Sequence, residues 1–222
     1  MIGAVIFDMF ETLITHYRTP LYFSEEMAKD AGVDVDAFRE YWRSTEPLRT
    51  VGELTFDKVI ENILIKNNAY NENTLNAIVA KRIETKKQCI ASMHSGIIPM
   101  LDKLKSKGVK IGLISNCFSE EAAVIRESVL YPYFDAACLS YELGLKKPDP
   151  AIYHRALKML ELDADECLYI GDGGSGELQA ALAVGMKPLQ AMWYSFDDNN
   201  DTIVRNESFP ALNDPLELFD HI

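Results

Sequence analysis

Apolar runs and amphipathic helical patterns alternate over much of the chain, and this alternation predicts a parallel sheet flanked by helices. The predicted strands are Ala4–Phe7, Lys110–Ile114, Phe134–Leu139, Cys167–Ile170 and the weaker Pro188–Trp193. The first, second and fourth strands are almost continuously apolar, which is typical of strands covered on both faces. The helical patterns that separate the strands cover Ile97–Ser106, Glu120–Val129, Ala151–Leu160 and Glu177–Val184.

Residues 17–92 break this alternation, because their apolar residues follow helical spacing and predict no strand. The predicted helices there are about Ser24–Ala31, Val35–Thr45, Thr55–Lys66 and Asn73–Cys89, with Thr55 and Asn73 as N-caps. The chain is therefore predicted to have an α/β fold. In this prediction, residues 1–16 and 93–222 form a Rossmann-like parallel-sheet core, and residues 17–92 form an inserted α-helical cap domain.

Composition and charge narrow the classes of partner. With a formal net charge of −12 over 222 residues and only short basic clusters, binding to nucleic acid is not expected. The four cysteines are scattered and include no Cys-x-x-Cys pair, which favours buried free thiols in a reducing compartment. No apolar stretch reaches the roughly 20 residues of a membrane span. The N-terminus has no basic flank, so we expect a cytoplasmic protein, either monomer or homodimer, that does not bind membranes.

Polar side chains that follow the predicted strands supply the candidate chemistry, because ligands of open parallel sheets bind beyond the carboxyl ends of the strands. These candidates are Asp8, Thr12, Ser115, Asn116, Lys147, Asp172 and Glu177. Each alone is typical of a turn, a helix cap or a solvated surface. Together they indicate a site, because Asp8 and Asp172 can hold Mg²⁺ through oxygen ligands. A serine hydroxyl and a lysine can contact phosphoryl oxygens, and Asp8 can attack phosphorus.

Four ordered motifs resemble those of the haloacid dehalogenase-like hydrolase superfamily, over nearly the whole chain. The motifs are VIFDMFETL, IGLISN, SYELGLKKPDPAIY and YIGDGGSGELQAALAVGM. The catalytic residues that the resemblance implies are Asp8 as nucleophile, Ser115, Lys147 and Asp172. Substrate contacts are implied for Thr12, Ser115, Asn116 and Lys147, with Glu177 in a supporting role. The resemblance further implies Mg²⁺ as cofactor, an aspartyl-phosphate intermediate, and a small phosphorylated metabolite selected by the helical cap.

The first motif departs from the phosphatase pattern of this superfamily at Phe10. Phosphatases of the superfamily usually carry Asp-x-Asp there, and the second aspartate protonates the leaving oxygen and then activates water. Phe10 keeps the backbone carbonyl that the resemblance implies as a metal ligand, beside Asp8 and Asp172, but it carries no titratable proton. General acid–base help is typically worth about 10²–10⁴-fold in rate. The loss is most severe for alkyl phosphates and smaller for acyl or aryl phosphates, which leave without much help.

Two side chains near Phe10 are candidates for a substitute proton carrier. Glu11 is adjacent to Phe10, although neighbouring residues on an extended segment point to opposite faces. His16 lies at the predicted hinge to the cap, and histidine titrates near neutral pH.

The aromatic Phe10 also leaves open a metal-independent 2-haloacid dehalogenase. A third possibility is a regulatory protein that binds phosphate and turns over poorly. In the cap, Arg43 and Arg49 are candidates for contact with an anionic substrate.

Overall fold

The computed structural model describes residues 2–195 and 200–222, and its centre is a sheet in which all paired strands are parallel. Its strands are β1 (Ala4–Phe7), β2 (Lys110–Ser115), β3 (Ala136–Leu139), β4 (Cys167–Gly171), β5 (Lys187–Ala191) and β6 (Ala211–Leu212). They are ordered β3-β2-β1-β4-β5-β6. The sheet therefore confirms the predicted α/β class, with β1 between β2 and β4.

Helices connect the strands and fill the insertion after β1. They are α1 (Ser24–Ala31), α2 (Val35–Ser44), α3 (Glu46–Thr50), α4 (Phe56–Lys66), α5 (Glu72–Ala91), α6 (Ile97–Ser106), α7 (Ser119–Glu127), α8 (Ser140–Leu143), α9 (Pro150–Leu160) and α10 (Glu177–Val184). Helices α1–α5 all precede β2, as predicted for the inserted helical cap. None of the helices in the described ranges combines the length and apolar character that crossing a bilayer requires.

The strand β1 shows why its sequence is continuously apolar. Val5 and Phe7 pack into one hydrophobic cluster together with residues of α6 and α7. Ala4 and Ile6 pack into a second cluster together with residues of α9 and α10. Because side chains alternate along a strand, a strand buried on both faces has no polar position. The cap helices bury a separate cluster of their own, which includes residues of α1, α2, α4 and α5.

The structure corrects several local predictions. Helix α3 was not predicted, because five residues are too few to show a helical period. Helix α5 begins earlier than expected: Asn71, rather than Asn73, is its N-cap, and the Asn71 side chain accepts hydrogen bonds from two backbone N–H groups. Strand β5 ends at Ala191 rather than Trp193. The two-residue β6 was also missed.

Other sequence predictions agree with the described residues. All four cysteines are buried free thiols. The polar stretch 195–207 predicts a loop with little structure of its own. Its residues 200–206 adopt no helix or strand, while residues 196–199 lie outside the described residues. The segment after β5 nevertheless packs on the core: the indole Nε1 of Trp193 donates to the Thr12 carbonyl at 2.8 Å.

Candidate active site

A cavity of about 180 Å³ lies at the carboxyl ends of β1, β2 and β4. Its walls contain most of the site residues expected from the sequence. The lining residues are Asp8, Phe10, Glu11, Asn116, Lys147, Asp172, Gly174, Ser175 and Glu177. The parallel register explains this convergence, because Phe7 pairs with both Leu113 and Ile170, so the three strands end within two residues of one another.

Lys147 forms the centre of a buried charged cluster in this cavity. Its Nζ donates to Asp8 Oδ1 at 2.5 Å and to Glu177 Oε2 at 2.5 Å. Burial by itself lowers the pKa of a lysine, but the charges of Asp8 and Glu177 outweigh it and raise the pKa of Lys147 above its ordinary value. Lys147 is therefore a fixed positive charge beside the Asp8 carboxylate.

Three carboxylates meet at the same point. One ligand oxygen each from Asp8, Asp172 and Glu177 can be chosen so that all lie within 4.8 Å of one another. Burial, followed by the charge of Glu177, raises the pKa of Asp8 to about 7 and that of Asp172 to about 8. Crowded carboxylate oxygens of this kind fit a hard divalent cation such as Mg²⁺, whose charge would relieve their repulsion.

Two hydroxyl groups near Asp8 are buried without a hydrogen-bond partner among the described residues. They are Thr12 Oγ1 and Ser115 Oγ. Ser115 ends β2, next to the strand that carries Asp8, and Thr12 lies four residues beyond Asp8. A buried hydroxyl without a partner is unfavourable by about 1–3 kcal/mol. Neither Thr12 nor Ser115 is among the described residues that line the cavity.

Asn116 holds the backbone of Lys147 with both ends of its side-chain amide. Asn116 Nδ2 donates to the Lys147 carbonyl at 3.0 Å, and Asn116 Oδ1 accepts from the Lys147 N–H at 2.8 Å. This pair of bonds ties the segment after β2 to the segment that carries Lys147. The side chain of Asn116 is thus engaged in positioning Lys147, and its backbone remains the part suited to substrate contact.

Phe10 occupies the wall of the cavity and is enclosed by polar groups from the hinge and the cap. Its ring stacks on the His16 imidazole, with centroids 4.9 Å apart and planes inclined by 14°. The ammonium group of Lys86, from α5, lies 4.9 Å from the Phe10 ring centroid. The same Nζ lies 2.5 Å from His16 Nε2 and 2.7 Å from Glu121.

Both nitrogens of His16 are engaged. Nδ1 lies 2.9 Å from Glu11 Oε1, while Nε2 faces the Lys86 ammonium. Burial, and next the positive charge of Lys86, lower the pKa of His16 to about 4. The imidazole is therefore neutral at pH 7, with its Nδ1 proton donated to Glu11 and its Nε2 lone pair accepting from Lys86.

Glu11 binds the hinge, which is the segment around His16 that leads from the core into the cap. Its two oxygens lie within hydrogen-bond distance of four donors: Thr15 Oγ1, the His16 N–H, His16 Nδ1 and Asn200 Nδ2. Burial opposes ionisation, but these hydrogen bonds, led by that from His16, hold the pKa of Glu11 below its usual range. The residue has a φ of +58°, a turn conformation that aims its side chain at the hinge rather than at Asp8.

Comparison with known proteins identifies the family of the chain. Residues 2–185 match the protein family described as haloacid dehalogenase-like hydrolase. The chain belongs to this family. This hydrolase is 23% identical to a glyceraldehyde 3-phosphate phosphatase of Methanocaldococcus jannaschii, over 98% of this chain and 97% of that protein. It is 31% identical to the rhythmically expressed gene 2 protein of Drosophila melanogaster over 119 residues, which are 50% of this chain and 46% of the fly protein.

The fold is also that of solved members of the family. A HAD family enzyme from Bacteroides thetaiotaomicron, solved in complex with magnesium and inorganic phosphate, superposes with a TM-score of 0.69. The two sequences are 16% identical, and the match covers 91% of this hydrolase and 98% of that chain. At this identity the likeness establishes the shared fold.

The cap of this hydrolase is docked on the core beside the cavity that contains Asp8. A second cavity, of about 330 Å³, shares Asn116, Lys147 and Ser175 with the first and is closed on the cap side by Glu46 and Thr50. At Gly52, where φ is +80°, a Cβ atom would lie 2.2 Å from the Tyr141 carbonyl oxygen. The cap turn thus contacts α8 directly and leaves no space for a side chain.

The cap arginines that the sequence offered for substrate contact differ in position. Arg43 is exposed, whereas Arg49 is fully buried. The Arg49 guanidinium carbon lies 3.5 Å from the centroid of the Trp42 ring and 4.1 Å from that of Phe118. Since Phe118 belongs to the core and follows Asn116 closely, Arg49 links the cap to the site loop by packing.

A second buried charge cluster joins α5 of the cap to α7 of the core. Arg82 donates to Glu120 at 3.2 Å and to Glu121 at 3.0 Å, and Lys86 pairs with Glu121. All four side chains are almost inaccessible to solvent. Sequence reasoning missed this cluster because charges spread over two amphipathic helices are usually solvated.

Two further residues missed by sequence reasoning support the site from β4 and β5. Tyr169 OH donates to Glu177 Oε2 at 2.8 Å, behind Lys147. Gln190 Nε2 donates to the Asp172 carbonyl and to the Val204 carbonyl, both at 2.8 Å. Both lie inside segments predicted as strands, so only a polar position in an otherwise apolar run marked them.

Proposed function

We propose that this protein is a Mg²⁺-dependent phosphohydrolase that acts on a small phosphorylated metabolite through an aspartyl-phosphate at Asp8. The observation that carries the proposal is the cavity that brings the Asp8–Lys147 ion pair and Asp172 together at the carboxyl ends of the strands. Ser115, at the end of the neighbouring strand, and Thr12, four residues beyond Asp8, add two buried hydroxyls without a partner among the described residues. An incoming phosphoryl group supplies the oxygen acceptors that the two hydroxyls lack.

The chain's own residues divide the reaction into two steps. Asp8 forms a bond to phosphorus while the bond to the leaving oxygen breaks, and the leaving group departs with that electron pair. Water then attacks the same phosphorus, which releases inorganic phosphate and restores the Asp8 carboxylate. Lys147 and Ser115 hold the phosphoryl oxygens through both steps, and Asn116 keeps Lys147 in place.

Asp8, Asp172 and the Phe10 carbonyl are the groups that would hold Mg²⁺, with Glu177 close enough to assist. When bound, the cation neutralises phosphoryl charge and keeps the substrate in line with Asp8. The oxygen-only donor set fits Mg²⁺ rather than a soft metal. It also favours the phosphohydrolase over a metal-independent dehalogenase, which has no need for crowded carboxylates.

The surroundings of Phe10 indicate how basic a leaving group the site can accept. Phe10 offers no proton, and the hydrogen-bond capacity of Glu11 and of His16 is filled by the hinge and by Lys86. We therefore propose that the preferred substrates are phosphates whose leaving group is weakly basic, such as acyl or aryl phosphates. The rate should then fall steeply as the pKa of the leaving group rises.

A phosphate-release assay with Mg²⁺ tests the proposal. The panel holds acetyl phosphate, substituted phenyl phosphates, sugar phosphates and glyceraldehyde 3-phosphate, the last because of the archaeal relative. We expect turnover that is greatest on acetyl phosphate and is abolished in Asp8→Asn. Full Mg²⁺-dependent turnover by Asp8→Asn would overturn the nucleophile. Binding of phosphate esters without any turnover would favour the regulatory alternative, and chloride release from 2-haloacids in a chelator would establish the dehalogenase.

A further inference from the structure

Two buried tyrosines lie side by side behind Lys147 and contact the same glutamate in different ways. Their ring centroids are 5.6 Å apart. Tyr169 OH donates to the Glu177 carboxylate at 2.8 Å, whereas Tyr153 OH donates to the Glu177 backbone carbonyl at 3.2 Å. Both side chains are fully buried. Of the two tyrosines, only Tyr169 therefore bonds to the Glu177 carboxylate, whose charge competes with that of Asp8 for the Lys147 ammonium group.

The competition is visible in the geometry of Lys147. Its Nζ lies 2.5 Å from Asp8 Oδ1, 2.5 Å from Glu177 Oε2 and 3.4 Å from Tyr169 OH. Glu177 Oε2 thus accepts from the lysine and from the phenol together. The other oxygen, Oε1, accepts from the Gly173 N–H at 3.2 Å. An oxygen that receives two donors attracts each of them less strongly than an oxygen that receives one.

The glutamate itself has little room to move away from Lys147. A Cβ atom on Gly171 would lie 2.0 Å from Glu177 Oε1, so the carboxylate packs directly against that glycine. If the phenol is removed, Glu177 cannot turn to a new donor on that side. Its unshared charge then draws the flexible lysine toward it and away from Asp8.

We propose that Tyr169 is a positioning residue that shares the charge of Glu177 and so keeps Lys147 at Asp8 and at the phosphoryl group. This inference rests on the proposed function, because the position of Lys147 matters only if Lys147 binds the transferred group. Tyr169 is not among the described residues that line the cavity, and it acts through Glu177 and Lys147.

The test is Tyr169→Phe beside the matched control Tyr153→Phe. Each variant removes one buried hydroxyl that donates to Glu177, but only Tyr169→Phe removes a hydrogen bond to the Glu177 carboxylate. We expect Tyr169→Phe to lower kcat about 10- to 100-fold, the range that one hydrogen bond to a charged group supplies. We expect it to weaken inhibition by orthovanadate about tenfold. Tyr153→Phe should change both quantities less than threefold, while the two variants lose similar thermal stability.

A double-mutant cycle adds a readout that a purely structural role would not move. In the Glu177→Gln background the competing charge is absent, so adding Tyr169→Phe should lower kcat less than twofold further. Equal kcat and vanadate inhibition in Tyr169→Phe and Tyr153→Phe would overturn the proposal, and so would additive effects in the cycle. Failure of the proposed function is separate, because it is seen as full activity of Asp8→Asn, or as absence of phosphate release by the unmodified protein, before any Tyr169 variant is compared.

Discussion

The ring of Phe10 stacks on the imidazole of His16, and the ammonium group of Lys86 lies close to both rings. The three side chains therefore contact one another, although Phe10 belongs to the first motif, His16 to the hinge and Lys86 to the cap. This relationship links the chemistry of the cavity to the position of the cap, and it changes what a simple replacement of Phe10 should achieve.

Phe10→Asp should not by itself restore a general acid. A carboxyl group at this position would lie near the Lys86 ammonium, and an adjacent positive charge lowers the pKa of a carboxyl. We expect Phe10→Asp to raise the rate on an alkyl phosphate less than about threefold, and Phe10→Asp with Lys86→Met to raise it by a further tenfold or more. Steady-state kinetics on a sugar phosphate measures both. A large gain in the single variant would contradict this account.

Acid should destabilise the protein partly through His16. Its pKa is lowered from an ordinary 6.5 to about 4, so between these values the unfolded chain binds a proton that the folded chain does not. Stability from this group is complete above about pH 6.5 and is lost as the pH falls toward 4, by on the order of 3 kcal/mol at most. The free energy of unfolding, measured with urea at several pH values, should depend less steeply on pH in His16→Asn. An unchanged slope in this window would exclude His16 as the cause.

Removing Arg82 should destabilise the protein strongly. Arg82→Met leaves Glu120 and Glu121 buried with Lys86 as their remaining cation, and a buried ion pair that loses one partner typically costs about 3–5 kcal/mol. The matched control is Lys29→Met, which breaks an exposed pair with Glu25 and should have no measurable effect. Equal free energies of unfolding for the two variants would mean that the buried cluster does not stabilise the cap against the core.

Gly52→Ala should prevent the cap turn from docking on α8. The new methyl group would meet the Tyr141 carbonyl oxygen, and the positive φ adds about 1 kcal/mol of strain. Gly32→Ala is the control for strain alone, because Gly32 has a φ of +64° and open space around it. We expect both variants to lose about 1 kcal/mol in urea unfolding, and Gly52→Ala to lose more and to show a raised KM. Identical kinetics in the two variants would count against a role for this contact in the closed cap.

The strands and the main helices could be predicted from the sequence because their signals are local. The run Ala4–Phe7 is apolar at every position, and the structure covers both of its faces. The parallel direction predicted for the strands also places Asp8, Ser115 and Asp172 at one end of the sheet, because parallel strands end on the same side. Short elements such as α3 escaped because five residues show no period.

What the sequence alone determined is therefore the family, the α/β class and most of the residues that line the cavity. The tertiary structure decided how those residues are engaged. Asn116 holds the Lys147 backbone, Glu11 binds the hinge, and Tyr169 shares Glu177 with Lys147. Asn116 lies 31 residues from Lys147, Tyr169 lies 22 residues from it, and Glu11 also accepts from Asn200, 189 residues away, so no local pattern records these contacts. Their physical basis is the need of each buried polar group for a partner, which only the packed fold supplies.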